Sequence, residues 1–294
     1  MIKKGVREKM KPIIKYRGGK SKEIPQILPY IPQFAGRYIE PFFGGGALFF
    51  YLEPSRAIIN DINKNLFDFY MDVRDNYFQM KDELFMLETL YTENRDAFER
   101  LKIQHPNDRV NDSNEDLYYR IRDMYNGLAD SNFLFGTIYY FINKTAYSGM
   151  IRYNANGQFN VPYGRYKNFN TSLLTEEHHK LLKHTELFNY SYEDIFAMAK
   201  ADDFIFLDPP YDCVFSDYGN ENMKDGFGED RHRKLAADFK KLQCKALMVI
   251  GKTKLTEELY KDYIVAEYEK SYAVNIRNRF KSESKHILVA NYGE

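Results

Sequence analysis

The stretch RYIEPFFGGGALFFYLEPSRAIIND, residues 37–61, decides the fold. It opens on a short apolar run, RYIEPF (37–42), passes through three glycines and continues as ALFFYL. It closes on RAIIND (56–61), a second apolar run that ends in an acid. Strand, glycine turn, helix and strand ending in a carboxylate form the nucleotide-site unit of an open parallel sheet. Glycines between strand and helix let backbone approach a ligand closely, although Gly-Gly-Gly alone suits a plain tight turn equally well. Asp61 adds weight, because an acid at that strand end is placed to accept from ribose hydroxyls. The spacing is not G-x-G-x-x-G, so an adenosine-type ligand is expected without a required pyrophosphate.

The pattern extends outward in both directions. Residues from about 64 to 184 are charged, helix-patterned and rich in Tyr and Phe, with apolar residues three to four apart in NLFDFYMDVRDNYFQMKDELFMLETLY. Inside them, YNANGQFNVPYGRY (153–166) reads as a hairpin or extended loop. Strand–helix alternation then resumes. ELFNYSY, FIFLDPPY, ALMVIG, YIVAEYE and HILVANY are strand candidates, with helix candidates EDRHRKLAADFKKLQ and LTEELYKDY between them. The expected fold class is α/β: a Rossmann-like sheet built from residues 1–63 and 186–294, interrupted by a mainly helical insert, 64–185, that forms its own lobe.

Composition narrows the function classes. The chain has 294 residues, 44% hydrophobic, with no net charge, so bulk charge announces no polyanion. The distribution says more. Residues 1–22 carry nine Lys/Arg against one acid, and residues 143–168 carry Lys144, Arg152, Arg165 and Lys167 and no acid. Residues 272–286 carry four basic residues against Glu283. Each run alone reads as a solvated face; together they fit a footprint for nucleic acid. Two cysteines, Cys213 and Cys244, imply neither a disulfide framework nor a metal site. No apolar run reaches membrane-span length, and the basic N-terminus lacks a secretory apolar region, so a cytoplasmic protein is expected. VIGKTK (249–254) falls short of a phosphate-binding loop, because Ala246 stands where that pattern requires glycine.

FIFLDPPYDC, 204–213, carries the chemistry. A strand ending in Asp208 presents its carboxylate at the ligand-binding edge of an α/β sheet. Pro209 and Pro210 fix φ and remove competing N–H donors. The Asp208 carboxylate and the Pro209 carbonyl then form an acceptor array suited to an exocyclic amine, and Tyr211 offers a ring to stack on the base that bears it. Two acceptors on one amino group draw its hydrogens out of conjugation, freeing the nitrogen lone pair for attack on an electrophilic carbon. No metal is needed.

With these motifs in this order, the sequence resembles the Dam-type (D12 class) adenine-N6 DNA methyltransferases along nearly its whole length. KYRGGK (15–20), EPFFGGG (40–46), NDIN (60–63), YSYED (190–194), DPPY (208–211) and NKTAYSGMIRYNANGQFNVPYGRYKN (143–168) carry the resemblance. It implies S-adenosyl-L-methionine as cofactor and duplex DNA as substrate. Tyr16, Lys20, Glu40, Pro41, Phe42, Gly44, Asp61, Ile62, Tyr192, Asp194 and Asp208 would line the cofactor site. Asp61 would hold the ribose, and Ile62 and Tyr192 would sandwich the cofactor adenine. Asp208, Pro209, Pro210 and Tyr211 would act on a flipped target adenine.

Tyr147, Ser148, Met150, Arg152, Asn160, Pro162, Arg165 and Lys167 would meet DNA, with Tyr147 entering the base stack, Arg152 reading guanine, and Arg165 and Lys167 touching phosphates. The expected product is N6-methyladenine in GATC or another site containing guanine-adenine. Ser148 and Met150 depart from the commoner family residues, which leaves the exact site open. A monomer is expected, either orphan or paired with a restriction endonuclease. Two other readings stay open at this point: methylation of RNA adenine, and a non-catalytic DNA- or cofactor-binding homologue.

Overall fold

A computed structural model describes residues 9–149, 151–211, 227–269 and 285–293. Met150, Cys213 and the basic residues 277–281 lie outside them. Seven strands among the described residues form one sheet: β1 (Tyr38–Glu40), β2 (Ala57–Asn60), β3 (Thr185–Phe188), β4 (Phe204–Leu207), β5 (Lys245–Gly251), β6 (Ile264–Glu269) and β7 (Lys285–Ala290). Their order is β3-β2-β1-β4-β5-β7-β6. The first five strands are parallel neighbours, whereas β7 runs antiparallel to both β5 and β6. The winding reverses between β1 and β4, which pair directly through Tyr38↔Phe204 and Ile39↔Ile205. That reversal splays the connections to opposite faces and opens a crevice above the carboxyl ends, where open α/β sheets bind ligands.

The central strands are apolar on both faces because helices cover both. Phe204 and Phe206 in β4, with Leu247 and Val249 in β5, join one buried cluster; Ile205, Leu207, Ala246, Met248 and Ile250 join the other. The alternation follows from the two-residue period of a strand. The second cluster packs under α8 (Tyr192–Met198), α9 (Glu229–Phe239) and α10 (Lys254–Tyr260), through Ile195, Phe239 and Tyr260. Edge strand β6 alternates half-buried and exposed residues, as a strand with one wet face does.

The first cluster packs under α2 (Ala47–Leu52) and runs on into the helices between β2 and β3: α3 (Lys64–Asp75), α4 (Tyr77–Gln104), α5 (Ser113–Tyr125), α6 (Phe135–Thr145) and α7 (Glu176–Lys183). One continuous apolar cluster thus reaches from Phe204 and Phe206 to Tyr91, Tyr118 and Phe141. The long periodic run after residue 64 divides at Asn76, which leaves helical geometry (φ −122, ψ 22) and ends α3. A short helix not anticipated from sequence, α1 (Ile24–Ile27), carries Pro25 in its first turn. ELFNYSY is a strand only as far as Phe188; Ser191 caps α8 instead, accepting from Asp194 N. Many of the tyrosines are structural: Tyr38, Tyr70, Tyr91, Tyr118, Tyr140 and Tyr260 are fully buried.

Candidate active site

A cavity of about 470 Å³ sits where the carboxyl ends of β1 to β4 converge, within the roughly 300–1,000 Å³ typical of small-molecule sites. Tyr16, Lys20, Glu40, Pro41, Phe42, Gly44, Asp61, Ile62, Tyr192 and Asp208 all line it, together with Pro209, Pro210 and Tyr211. Asp194 does not. Its carboxylate accepts from Ser191 N and Oγ, closing a capping box at the start of α8. The spacing Ser-x-x-Asp was the available signal, because a hydroxyl three residues before a carboxylate is how such a box is written. Arg17, Asn63 and Tyr190, which lie inside quoted motifs but were given no role, also line the cavity, as do Phe227 and Arg231, which lie in none.

The glycine triplet earns its shape from two rings. Gly44 has φ +51, and a Cβ there would come within 2.8 Å of Tyr16 Cε1. Gly46 has φ +63, and its Cβ would lie 2.4 Å from Phe43. Only glycine combines the left-handed backbone with such close ring packing. Gly44 N donates to Asp61 Oδ2 at 2.8 Å, and Asn63 N donates to Asp61 Oδ1 at 2.9 Å. Asp61 therefore locks the loop after β1 to the turn after β2 while its remaining lone pairs stay available. Asn60 reinforces the junction: Nδ2 donates to Pro41 O and Tyr190 O, and Oδ1 accepts from Tyr190 N.

Charge is concentrated on the deep side. Glu40 is 3% exposed, and the Tyr38 hydroxyl donates to it at 2.7 Å. Burial pushes the Glu40 carboxyl well above the usual range; the Tyr38 bond opposes that, and the nearby charges of Asp208 and Asp61 add to it. Burial likewise raises Asp61 to about 6 against the pull of its two backbone N–H partners. Lys20, also 3% exposed, donates to both Asp208 oxygens at 2.6 Å and to Gly18 O at 2.8 Å. Its ammonium lies 5.0 Å from the centre of the Tyr211 ring. Three carboxyl groups thus face one buried ammonium, and burial disfavours charge on Glu40 and Asp61, a penalty that a cationic ligand would offset.

A pH dependence follows with a definite sign. Asp61 is the stronger acceptor when ionised, so an Asp61 that holds ligand hydroxyls predicts affinity that holds above about pH 6 and declines as pH falls below it. The measurement is kcat/KM for the cofactor across pH 5 to 8; a flat profile through pH 6 would remove Asp61 from cofactor binding.

The residues assigned to DNA cluster elsewhere, on a turn and hairpin after α6. Tyr147 is 53% exposed, and its N donates to Pro162 O at 2.9 Å. Ser148 next to it has φ 56, ψ 13, the left-handed region that asparagine tolerates better than serine. Tyr153 and Phe159 bridge antiparallel, and Asn154 Oδ1 accepts from Asn156 N and Gln158 N in the turn between them. Two isolated antiparallel bridges, Ala146↔Tyr163 and Tyr153↔Phe159, are what holds this segment together. Arg152 is exposed, and Nε donates to Asn160 Oδ1 at 2.8 Å, which fixes the guanidinium across the hairpin. Lys167 is exposed. Arg165 pairs with Glu115 at 3.1 Å, an exposed contact of the kind worth about 0–1 kcal/mol and readily exchanged for a phosphate.

Sequence reasoning missed how the two clusters connect. Asn143, buried at the end of α6, accepts from Lys15 N at 2.9 Å and donates to Lys15 O at 2.7 Å. Lys144 Nζ donates to Ile13 O. The segment that carries Tyr16 and Lys20 into the cavity is thus tied at its other end to the turn bearing Tyr147.

Among the described residues no group of His, Cys, Asp and Glu could hold a metal ion, and no helix is long and apolar enough to cross a membrane. Residues 16–276 match the family model of the D12 class N6 adenine-specific DNA methyltransferases. The chain is 35% identical to the type II methyltransferase M.CviBI of Paramecium bursaria Chlorella virus NC1A, over 96% of this chain and 100% of that one. It is 30% identical to the type II methyltransferase M1.LlaDCHI of Lactococcus lactis subsp. cremoris, over 97% and 96%. It is 32% identical to the DNA adenine methylase of Salmonella typhi, over 69% and 66%. A match across this much of the chain, on a sheet whose carboxyl edge carries the motifs in one cavity, makes the protein a member of the D12 class of N6 adenine-specific DNA methyltransferases.

Proposed function

We propose that the enzyme transfers a methyl group from S-adenosyl-L-methionine to the N6 of an adenine flipped out of duplex DNA, within a site containing guanine-adenine, GATC being the first to test. The convergence of Asp61, Asp208 and the glycine loop on one cavity carries the reading. When bound, the cofactor supplies an electrophilic methyl carbon on a cationic sulfonium. The donor set fits it. Glu40, Asp61 and Asp208 outnumber Lys20 among the deep titratable groups, and a positive ligand favours their ionised forms against the cost of burial. Asp61 has lone pairs left for ribose hydroxyls, and Tyr192 and Ile62 offer apolar surface to the cofactor's adenine.

The chain's own part is binding and orientation. Adenine inside a duplex cannot reach a donor held in a cavity, so it must leave the stack. Asp208 and the Pro209 carbonyl accept the two N–H bonds of its amine, and Tyr211 stacks on its ring. To do so the amine displaces Lys20 from at least one Asp208 oxygen. The N6 proton lost on methylation passes to Asp208 or to water. Holding amine and donor in line provides much of the rate.

Residues 64–185 serve target recognition in this reading, residues 1–63 and 186–294 catalysis. Tyr147 fills the emptied stack beside Ser148 and Pro162, and Arg152, steadied by Asn160, reads guanine in the major groove. Arg152→Ala is expected to weaken discrimination at one base pair by about 1–3 kcal/mol; competition between matched and singly substituted duplexes measures it, and unchanged discrimination at every position would remove Arg152 from base readout. Two relatives are named type II methyltransferases; in this reading the enzyme is a cytoplasmic monomer that modifies DNA either alone or beside a restriction endonuclease.

The decisive experiment is methylation of mixed-sequence duplex DNA, read base by base for N6-methyladenine. Marks confined to one guanine-adenine site establish the reaction and its specificity. Absence of marks with cofactor bound would refute the duplex-DNA substrate.

A further inference from the structure

His286 stands just before the apolar run Ile287–Ala290 of β7, yet it is only 1% exposed. Because β7 runs antiparallel to β5, its first residues reach the catalytic edge of the sheet. His286 is in register with Gly251 at the end of β5 and with Tyr268 on β6. Its Nδ1 lies 2.6 Å from Glu23 Oε2, and the Tyr268 hydroxyl donates to the same oxygen at 2.7 Å. Glu23 is 7% exposed. Burial pushes its carboxyl up, but the bonds from His286 and Tyr268 and the charge of Lys20 outweigh that, so it stays ionised. The His286 ring meets Tyr211 edge-on, with centroids 5.1 Å apart and planes at 78°. Gly251 passes close beside the same ring, since a Cβ there would lie 3.8 Å from Tyr211 Cδ2.

We propose that Glu23, His286 and Tyr268 form a buried brace that fixes the ring of Tyr211, making His286 a positioning residue for methyl transfer. A buried Glu–His pair carries a desolvation cost that an apolar pair would avoid, so it is poorly explained as a stabilising device. What it adds is direction. A bond at Nδ1 sets the imidazole plane, and the imidazole edge then sets the tyrosine ring. Pro209 and Pro210 restrain the backbone before Tyr211; at the far end of the side chain its hydroxyl donates to Asp208 Oδ1 at a long 3.4 Å, and the His286 edge adds a contact on the ring itself. The consequence for catalysis rests on the reading of Tyr211 as the base-stacking surface.

The test places 3-fluorotyrosine at position 211 in the full chain and compares wild type with His286→Ala. The brace predicts one narrow fluorine resonance that shifts or broadens in the variant. It further predicts a fall in kcat on DNA of about 100-fold, the scale of an ångström-level misplacement, with cofactor affinity unchanged. Glu23→Leu with His286→Phe removes both polar partners and keeps a ring edge against Tyr211; it should recover the narrow resonance and most of kcat. Glu23→Gln, which keeps volume and loses the charge, should broaden the resonance without unfolding the chain. An unaltered resonance in His286→Ala overturns the proposal, as does a loss of kcat matched by equal losses of cofactor affinity and melting temperature. A resonance that responds while the wild type leaves DNA unmethylated upholds the brace and refutes the stacking role of Tyr211.

Discussion

Asp208→Ala is expected to lower kcat for adenine methylation by about 100- to 1,000-fold, the usual cost of losing one preorganised hydrogen-bonding group at a reacting centre. Cofactor affinity should fall far less, because the donor's ribose and adenine are assigned to Asp61, Ile62 and Tyr192. The substitution also touches stability. Lys20 is 3% exposed and loses both short bonds to the carboxylate, keeping Gly18 O among its partners. Breaking such a pair costs about 3 kcal/mol, at the low end for buried pairs because Asp208 is 21% exposed. Chemistry and stability separate in a second variant. Lys20→Met combined with Asp208→Ala should recover melting temperature and leave kcat low. Single-turnover methylation with melting curves checks both, and an Asp208→Ala enzyme turning over at the wild-type rate would sink the assignment.

Asp61→Ala should act on the other half of the reaction, raising the dissociation constant for S-adenosyl-L-methionine by about 100-fold or more. Its carboxylate accepts from Gly44 N and Asn63 N, so alanine orphans two backbone donors as well as the ribose hydroxyls. The two orphaned backbone donors cost stability with or without ligand; the affinity loss comes from the ribose hydroxyls left without their buried acceptor, at about 1–3 kcal/mol each, and 1.4 kcal/mol is tenfold in affinity. Freed from Asp61, Gly44 loses the bond that helps hold it at φ +51, and the loop under Tyr16 loosens. At saturating cofactor kcat should change little, since the proposed roles give the amine to Asp208 and Pro209 and not to Asp61. Calorimetric titration and kcat at high cofactor concentration distinguish this from a catalytic role. Wild-type affinity in Asp61→Ala would remove the ribose assignment.

Both residues were legible because each is a local event: an acid at the end of a buried strand, beside Gly-Gly-Gly in one case and Pro-Pro in the other. Strand period and turn chemistry act over a few residues, so the strand–glycine–helix–strand unit and the helix ALFFYL could be read from spacing alone, whereas the segment around YNANGQF stayed open between a hairpin and an extended loop. Asp194 was misplaced for a related reason. A motif assigns a residue to a neighbourhood, whereas the direction of its carboxylate was decided by Ser191 three residues away.

By itself, then, the sequence determined an α/β sheet with a helical interruption, the carboxyl edge that bears the candidate site, and the family to which the chain belongs. Only the tertiary structure decided the contacts that complete the site. Lys20 meets Asp208 across 188 residues, Asn143 clamps Lys15 across 128, and His286 reaches Glu23 across 263. Such pairs leave no periodic trace, because their separation along the chain is set by the loops and helices between them. They form because the winding reverses between β1 and β4 and because β7 runs backwards beside β5, bringing chain ends to the same edge of the sheet.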